Sequence, residues 1–208
     1  MEEIFTNIYE QLKWGDDKND YYKGNSGKGS EIFYNEDFYI PIIKQLIQVN
    51  QIKTVVDLGC GDFKCGKLLY DDLDITYTGY DTYKKIIDYH LKNNYDTNKY
   101  NFHHLDIYEK KELICGGDLC IIKDVLQHWS IPTIYNFLDY LISSKKFKLI
   151  LICNCCNQKE DDENDEDNKN DGCSRPLSCD YLPLKKYNPL KLFYYNTKEV
   201  SIIINENL

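Results

Sequence analysis

The sequence predicts an α/β fold: a doubly wound, mostly parallel seven-stranded sheet that ends in a C-terminal antiparallel hairpin. Three observations carry this reading. Between Lys53 and Cys153, short apolar runs alternate with stretches of helical spacing. That alternation marks parallel strands joined by crossover helices. The first run, Val55-Val56-Asp57-Leu58-Gly59-Cys60-Gly61-Asp62, passes from an apolar strand through an acid and two glycines into a helix. A strand buried on both faces reads as such a run. Near the C-terminus, Lys191–Tyr195 and Val200–Ile204 flank Asn196-Thr197-Lys198-Glu199, a spacing that suits an antiparallel hairpin at a sheet edge.

The elements follow in order. Ile4, Phe5, Ile8 and Leu12 recur at helical spacing, and Trp14-Gly15 ends the pattern. A polar, glycine-rich loop runs from Asp16 to Ser30. The stretch Asp37–Val49 is again helical, with Ile42, Ile43, Leu46 and Ile47 as its apolar face. Strands are expected at Thr54–Leu58, Thr76–Tyr80, Tyr100–Leu105, Asp118–Ile122 and Lys148–Cys153. Helices are expected at Phe63–Tyr70, Tyr83–Asn93 and Pro132–Ile142, where Pro132 suits a first helical turn.

A chain of 208 residues fits one domain with a full core. Residues 1–50 form an N-terminal helical extension and loop, and residues 157–172 form an acidic insertion. Eight acids between Glu160 and Asp171 stand against Lys159 and Lys169, so the segment repels itself and has nothing apolar to bury. It reads as a flexible surface insertion. A calcium loop is excluded because the ordered spacing and the glycine are missing.

Net charge is −9 with no dense basic patch, which argues against binding a nucleic acid backbone. No apolar segment has membrane-spanning length, and Met1-Glu2-Glu3 does not open a cleavable signal. The nine cysteines are odd in number and scattered through apparent core strands, as in Leu119-Cys120-Ile121. Free thiols in a reducing cytoplasm are the simple reading. Cys153, Cys155, Cys156, Cys173 and Cys179 lack the paired geometry of a zinc ribbon, so no metal is expected. The sequence carries no signal for oligomeric state.

The parallel sheet that finishes in a hairpin, with Asp57-x-Gly59-x-Gly61 after the first strand, resembles the Rossmann-like class I S-adenosylmethionine-dependent methyltransferases. The resemblance covers most of the chain. It extends to a small bacterial-type group whose N-terminal region reads like Ile4-Phe5-Thr6-Asn7-Ile8-Tyr9, then Trp14-Gly15, then Ser26-Gly27-Lys28-Gly29-Ser30. Members of that group also carry a late Arg-Pro-Leu, here Arg175-Pro176-Leu177.

The residues themselves agree with such a cofactor. The dinucleotide fingerprint G-x-G-x-x-G places a third glycine where this chain has Lys64, and the next glycine is Gly66. Asp57 would repel a pyrophosphate. S-adenosylmethionine has no phosphate, and Asp57 suits its cationic methionine end or orients the loop. Asp81 ends the second strand 20 residues after Gly61, where an acid accepts from ribose hydroxyls. The alternative for Asp81 is an N-cap for the next helix. The resemblance gives Asp106 to the adenine amino group and Ile107 to the adenine ring. Ser26 and Gly27 lie in a loop that lacks phosphate-loop spacing. By the resemblance, that loop folds over the methionine end; as bare sequence, it is a flexible loop.

The fourth strand leads into Asp124-Val125-Leu126-Gln127-His128-Trp129, which the resemblance places beside the methyl group and its acceptor. Transfer to a hydroxyl gains from a base that removes its proton. His128 fits that role because its ordinary pKa is near neutrality. Asp124 is either the base or its orienter, and Gln127 can hydrogen-bond an acceptor. Asp124 and His128 can equally be an ordinary i,i+4 pair. Arg175, the only arginine, offers a planar fork to an acidic acceptor or to the acidic insertion.

The expected function is therefore methyl transfer from S-adenosylmethionine to the oxygen of a small-molecule acceptor, such as a sugar or sugar nucleotide. The Asn-Pro-Pro-Tyr signature of amino-group methylation is missing; its nearest match is Asn188-Pro189-Leu190. Two alternatives stand beside it. One is a nicotinamide-dependent oxidoreductase, which would end its sheet in a parallel strand. The other is a catalytically silent cofactor-binding partner subunit.

Overall fold

A computed structural model describes residues 1–93, 95–156 and 170–205. Most of the expected acidic insertion, residues 157–169, lies outside the described residues. The chain folds as two compact units, Met1–Lys110 and Lys111–Leu208. The described residues form seven strands: β1 (Thr54–Leu58), β2 (Thr76–Asp81), β3 (Tyr100–His104), β4 (Gly117–Lys123), β5 (Phe147–Cys155), β6 (Leu190–Tyr195) and β7 (Lys198–Ile204). Their order is β3-β2-β1-β4-β5-β7-β6, the mostly parallel sheet with a terminal hairpin that the sequence predicts.

The first unit holds β1 to β3, which run parallel with Leu58 opposite Tyr80 and Asp81 opposite His104. Its helices are α1 (Glu2–Glu10), α2 (Ile32–Asn35), α3 (Tyr39–Val49), α4 (Gly66–Tyr70) and α5 (Lys84–Lys92). The core face of α3 is Tyr39, Ile40, Ile43 and Ile47, one helical stripe. Ile42 and Leu46, expected on that face, are only half-buried.

The expected helix at Phe63–Tyr70 is cut to Gly66–Tyr70. Phe63 takes a left-handed φ of +55°, which breaks the helical path. Its ring lies 4.9 Å from Tyr77 and 5.1 Å from Phe102, inside an aromatic cluster that also takes in Tyr70 and Tyr100. A Cβ at Gly66 would fall inside the Phe63 ring, so that position has no room for a side chain.

The second unit holds β4 and β5 in parallel and then the hairpin. β7 runs antiparallel to β5, with Ile152 opposite Ser201, and β6 forms the edge. Helix α6 (Ile131–Ser143) begins at Ser130, whose Oγ accepts from the Thr133 N–H. Asp171 secures that start by accepting from the Ser130 N–H at 2.6 Å. The expected four-residue turn contracts to Asn196-Thr197, because Lys198 and Glu199 enter the sheet and are buried there.

All nine cysteines are free thiols. Among the described residues, no helix is long and apolar enough to cross a membrane, and no group of three His, Cys, Asp or Glu could hold a metal.

Candidate functional site

The residues assigned to a cofactor all lie in the first unit: Asp57 within β1, Gly59, Gly61, Asp81, Asp106 and Ile107 at the carboxyl ends of β1, β2 and β3, and Ser26 and Gly27 in the loop before β1. After β1 the chain turns sharply. Gly59 and Gly61 have φ of +86° and +53°. The N–H groups of Gly59 and Cys60 donate to the Tyr80 carbonyl at 2.8 and 3.0 Å, which ties the turn to β2. A Cβ on Gly61 would collide with the Ser26 hydroxyl, so close approach as well as φ demands glycine there.

Asp81 is 7 % exposed. Its Oδ2 accepts from the Gly61 N–H at 2.9 Å and its Oδ1 from the Tyr83 N–H at 2.8 Å. Burial raises its pKa, against the opposing pull of those two N–H groups. Asp81 is not the N-cap of α5, which is Tyr83 with no side-chain cap bond; it braces the glycine turn and the residue that opens the helix. Each carboxylate oxygen has a second lone-pair direction for another donor.

Asp106 is also buried. Its Oδ1 accepts from the N–H groups of Tyr108 and Glu109, both at 3.1 Å. Its Oδ2 takes the Glu2 N–H at 2.9 Å and the Met1 amino group at 3.0 Å. Burial works against its charge, but these donors hold its pKa below the ordinary carboxylate value. Ile107 beside it is buried. Asp57 accepts from the Tyr77 hydroxyl at 2.8 Å, which fixes it to the strand beside it.

The Ser26–Ser30 loop closes on the glycine turn. The Ser26 N–H donates to Asp62 Oδ2 at 3.1 Å, and the Asp62 N–H donates back to Ser26 Oγ at 2.8 Å. Ser30 Oγ adds a third bond to Asp62 at 3.0 Å. Gly27, at φ +79°, turns the loop. Lys64, at the fingerprint's third-glycine place, reaches Asp17 at 2.9 Å and Glu31 at 2.5 Å. A cleft of about 470 Å³ lies beside Asp62 and Lys64, walled by Tyr22, Phe63, Tyr89 and Tyr95.

Two residues that sequence reasoning missed complete this cluster. The Tyr9 hydroxyl shares a hydrogen bond with Ser26 Oγ at 2.8 Å, and its ring stacks on Tyr83 at 4.5 Å. Burial, and next the charge of Asp81, push the Tyr9 pKa well up. His90 is 1 % exposed, and its Nε2 lies 2.7 Å from the Gly61 carbonyl. A carbonyl only accepts, so Nε2 carries the proton. Burial lowers the pKa of this imidazole, against its bond to the Gly61 carbonyl and the charge of Asp62.

The residues assigned to the acceptor side lie in the second unit. Asp124 follows β4 at φ +60°, and its N–H donates to the Cys153 carbonyl at 2.8 Å. Its carboxylate takes Lys123 Nζ at 2.8 Å on one oxygen and Lys198 Nζ on the other. Burial opposes its charge, yet the two lysines hold its pKa down to about 2. Asp124 is thus a clamped carboxylate, paired with two lysines and not in a simple i,i+4 pair with His128. It has little tendency to take a proton near neutral pH.

His128 is 9 % exposed. Burial lowers its pKa to about 4, against the opposing charge of Asp124. Gln127 Oε1 accepts from the Cys155 N–H at 2.8 Å, so the other end of its amide is the donor. That donor faces His128 Nε2 at 3.3 Å, so Nε2 is the ring's unprotonated nitrogen and accepts from Gln127. Gln127 also donates its own N–H to Asn154 Oδ1 at 3.2 Å. Asn154 is 1 % exposed, and its Nδ2 meets no acceptor among the described residues.

Arg175 lies deep, at 1 % exposure. Its segment runs along the 127–128 turn: the Arg175 N–H donates to the Gln127 carbonyl at 2.9 Å and the Gly172 N–H to the His128 carbonyl. Lys198, 2 % exposed, was invisible in the sequence because its partner Asp124 stands 74 residues earlier.

No protein-family model matches the chain, and no curated protein sequence does. Solved structures do share its fold. The methyltransferase domain of bacterial CtHen1 superposes with a TM-score of 0.59 at 12 % identity, covering 84 % of this chain and 98 % of that one. A putative O-methyltransferase from Nostoc punctiforme gives 0.60 at 10 % identity, covering 97 % of this chain and 68 % of that one. Human N-acetylserotonin methyltransferase, solved with S-adenosylmethionine, gives 0.55 at 14 % identity, covering 80 % of this chain and 54 % of that one. This chain therefore spans about half the length of the human enzyme. At these identities the likeness is one of fold: the chain has the Rossmann-like α/β sheet of the class I methyltransferases.

Proposed function

We propose that this chain is a cytoplasmic S-adenosylmethionine-dependent methyltransferase that acts on an oxygen of a small molecule, such as a sugar or sugar nucleotide. One observation carries the reading. Gly59 and Gly61, Asp81 and Asp106 follow three adjacent parallel strands at their carboxyl ends, the place where open α/β sheets hold ligands. Carboxylates at the second and third of these ends suit hydroxyl and amino donors and repel phosphates. At Gly61 the missing side chain lets Ser26 pack against the turn, which brings the Ser26 loop onto the glycine turn. The antiparallel β7 also argues against the oxidoreductase alternative, which would end in a parallel strand.

S-adenosylmethionine, when bound, supplies a methyl group on a positively charged sulfur. Asp81 accepts from the ribose hydroxyls, Asp106 from the adenine amino group, and Ile107 lines the ring. Ser26 and Gly27 close on the methionine end, and Asp57 holds the strand that carries the turn. Positioning is the main source of rate in an in-line displacement. His128 is the base of this reading: its Nε2 lone pair, which accepts from the Gln127 amide, must turn from Gln127 to the acceptor's hydroxyl, and its pKa of about 4 makes it a weak base at neutral pH. Asp124 keeps a fixed negative charge beside it, and Arg175 holds the surrounding loop in shape.

The internal engagement of Gln127 and Asp124 favours a second reading, a cofactor-binding subunit without transfer chemistry. Incubating the chain with methyl-labelled S-adenosylmethionine and a panel of sugars and sugar nucleotides separates the two. Labelled product that falls at least a hundredfold with His128→Ala supports the transferase. Product that is indifferent to His128→Ala refutes His128 as the base. No product, alongside tight cofactor binding, favours the silent subunit.

A further inference from the structure

The row of cofactor residues is covered by the chain's own N-terminal helix. Each carboxylate that the proposed function gives to the cofactor is buried under that helix or tied to the turn beneath it. The first turn of α1 sends the Glu2 N–H to Asp106 Oδ2 at 2.9 Å, the same kind of bond an adenine amino group would make. The last turn sets Tyr9 over the glycine turn, hydrogen-bonded to Ser26 and stacked on Tyr83, two residues beyond Asp81. Glu10 fastens this end to Tyr83 Oη at 2.8 Å and Lys85 Nζ at 2.6 Å. Phe5, Ile8 and Tyr9 are buried on the inner face of α1. Asp81 and Asp106 are left 7 % and 6 % exposed.

We propose that α1 is a displaceable plug: its docked position and the bound adenosyl group compete for Asp106 and for the space above the glycine turn. This inference rests on the cofactor reading given above. Its physical basis is occupancy. A group already hydrogen-bonded to a buried acceptor must leave before a second donor with the same need arrives. The chain is then competent only in the fraction with α1 undocked, and the apparent dissociation constant rises by the inverse of that fraction. A helix docked nine-tenths of the time weakens binding about tenfold. The outer fastening suits release, because the Glu10–Lys85 pair is half-exposed on its lysine side, and exposed ion pairs hold weakly. Whatever draws α1 away, a partner or a change in conditions, would switch the cofactor site on.

The test uses S-adenosylhomocysteine as probe on the full chain and on Tyr9→Ala, which loosens α1 without touching β1 to β3. Calorimetry should show Tyr9→Ala binding at least fivefold more tightly. Hydrogen exchange of the unaltered chain supplies a second readout that needs no variant: amides of residues 2–12 should exchange faster with the probe bound. Weaker binding by a folded Tyr9→Ala chain, or slower or unchanged exchange in α1, overturns the proposal. In that case α1 closes over the cofactor or ignores it. Binding by Tyr9→Ala alone is the strongest support. Binding by neither form removes the cofactor reading itself, and the plug falls with it.

Discussion

Asp81→Asn isolates the carboxylate from its shape. Asp81 holds the Gly61 and Tyr83 N–H groups and, in the proposed complex, the ribose. Asparagine keeps one oxygen acceptor but turns an amide donor towards the other N–H. A hydrogen bond to a charged group is worth about 1.5–3 kcal/mol. Losing one at the ribose weakens binding roughly 10- to 150-fold. Folding suffers differently. One main-chain N–H loses its acceptor, at about 1–3 kcal/mol. Against that, the substitution removes a buried charge. The folded pKa of Asp81 is raised, so the folded state holds the proton more tightly than the unfolded chain does. Stability from this group therefore falls as pH rises above the ordinary carboxylate pKa, and asparagine abolishes that slope. Asp81→Asn should cost less stability at pH 7 than at pH 4. Asp81→Ala frees both N–H groups and should cost more at either pH. The assay is calorimetry with S-adenosylhomocysteine, paired with urea denaturation of the same samples. A folded Asp81→Asn chain that binds within twofold of the unaltered one refutes the ribose assignment.

Gly61→Ala should lower stability by about 1–3 kcal/mol, because a side chain at positive φ is strained and Ser26 must also move; a thermal melt reads it. His128 is held near pKa 4 when folded but near 6.5 when unfolded. Its contribution is complete above pH 6.5 and is lost as pH falls towards 4, to a limit of about 3 kcal/mol. Between pH 7 and pH 5 the unaltered chain should therefore lose about 2 kcal/mol more than His128→Asn does in urea denaturation. Lys198→Met leaves the buried Asp124 with Lys123 alone and should cost about 3 kcal/mol. Adding Asp124→Asn should restore part of that loss, and strict additivity in the double-mutant cycle would mean that the pair is not coupled.

The sheet was legible because its signals are local. Each parallel strand is an apolar run, each run ends at polar or glycine residues, and the hairpin strands sit close in sequence. The places where the reading failed each depend on contacts between distant residues. Phe63 leaves the helical path because its ring belongs to a cluster with Tyr77, Tyr100 and Phe102. Lys198 looks like a turn residue until Asp124 is beside it. The depth of Arg175 has no local mark in the sequence. Tyr9 ends the N-terminal stretch that carries the resemblance, but nothing in the sequence gives it a role beyond that of an aromatic on an amphipathic helix. Only the three-dimensional approach of α1 to the glycine turn gives it a role. Asp62 did offer a local clue, a second acid directly after Gly61, and its clasp on Ser26 shows what that clue meant.

The most direct test of the cofactor assignment is calorimetric titration of the purified full chain and of Tyr9→Ala with S-adenosylhomocysteine, and in parallel with NADH. The expected result is binding of S-adenosylhomocysteine by at least Tyr9→Ala, abolished or weakened tenfold or more by Asp81→Asn, with no heat from NADH. Binding of NADH alone, or of neither ligand to any folded form, would contradict the reading of these three strand ends as an S-adenosylmethionine site.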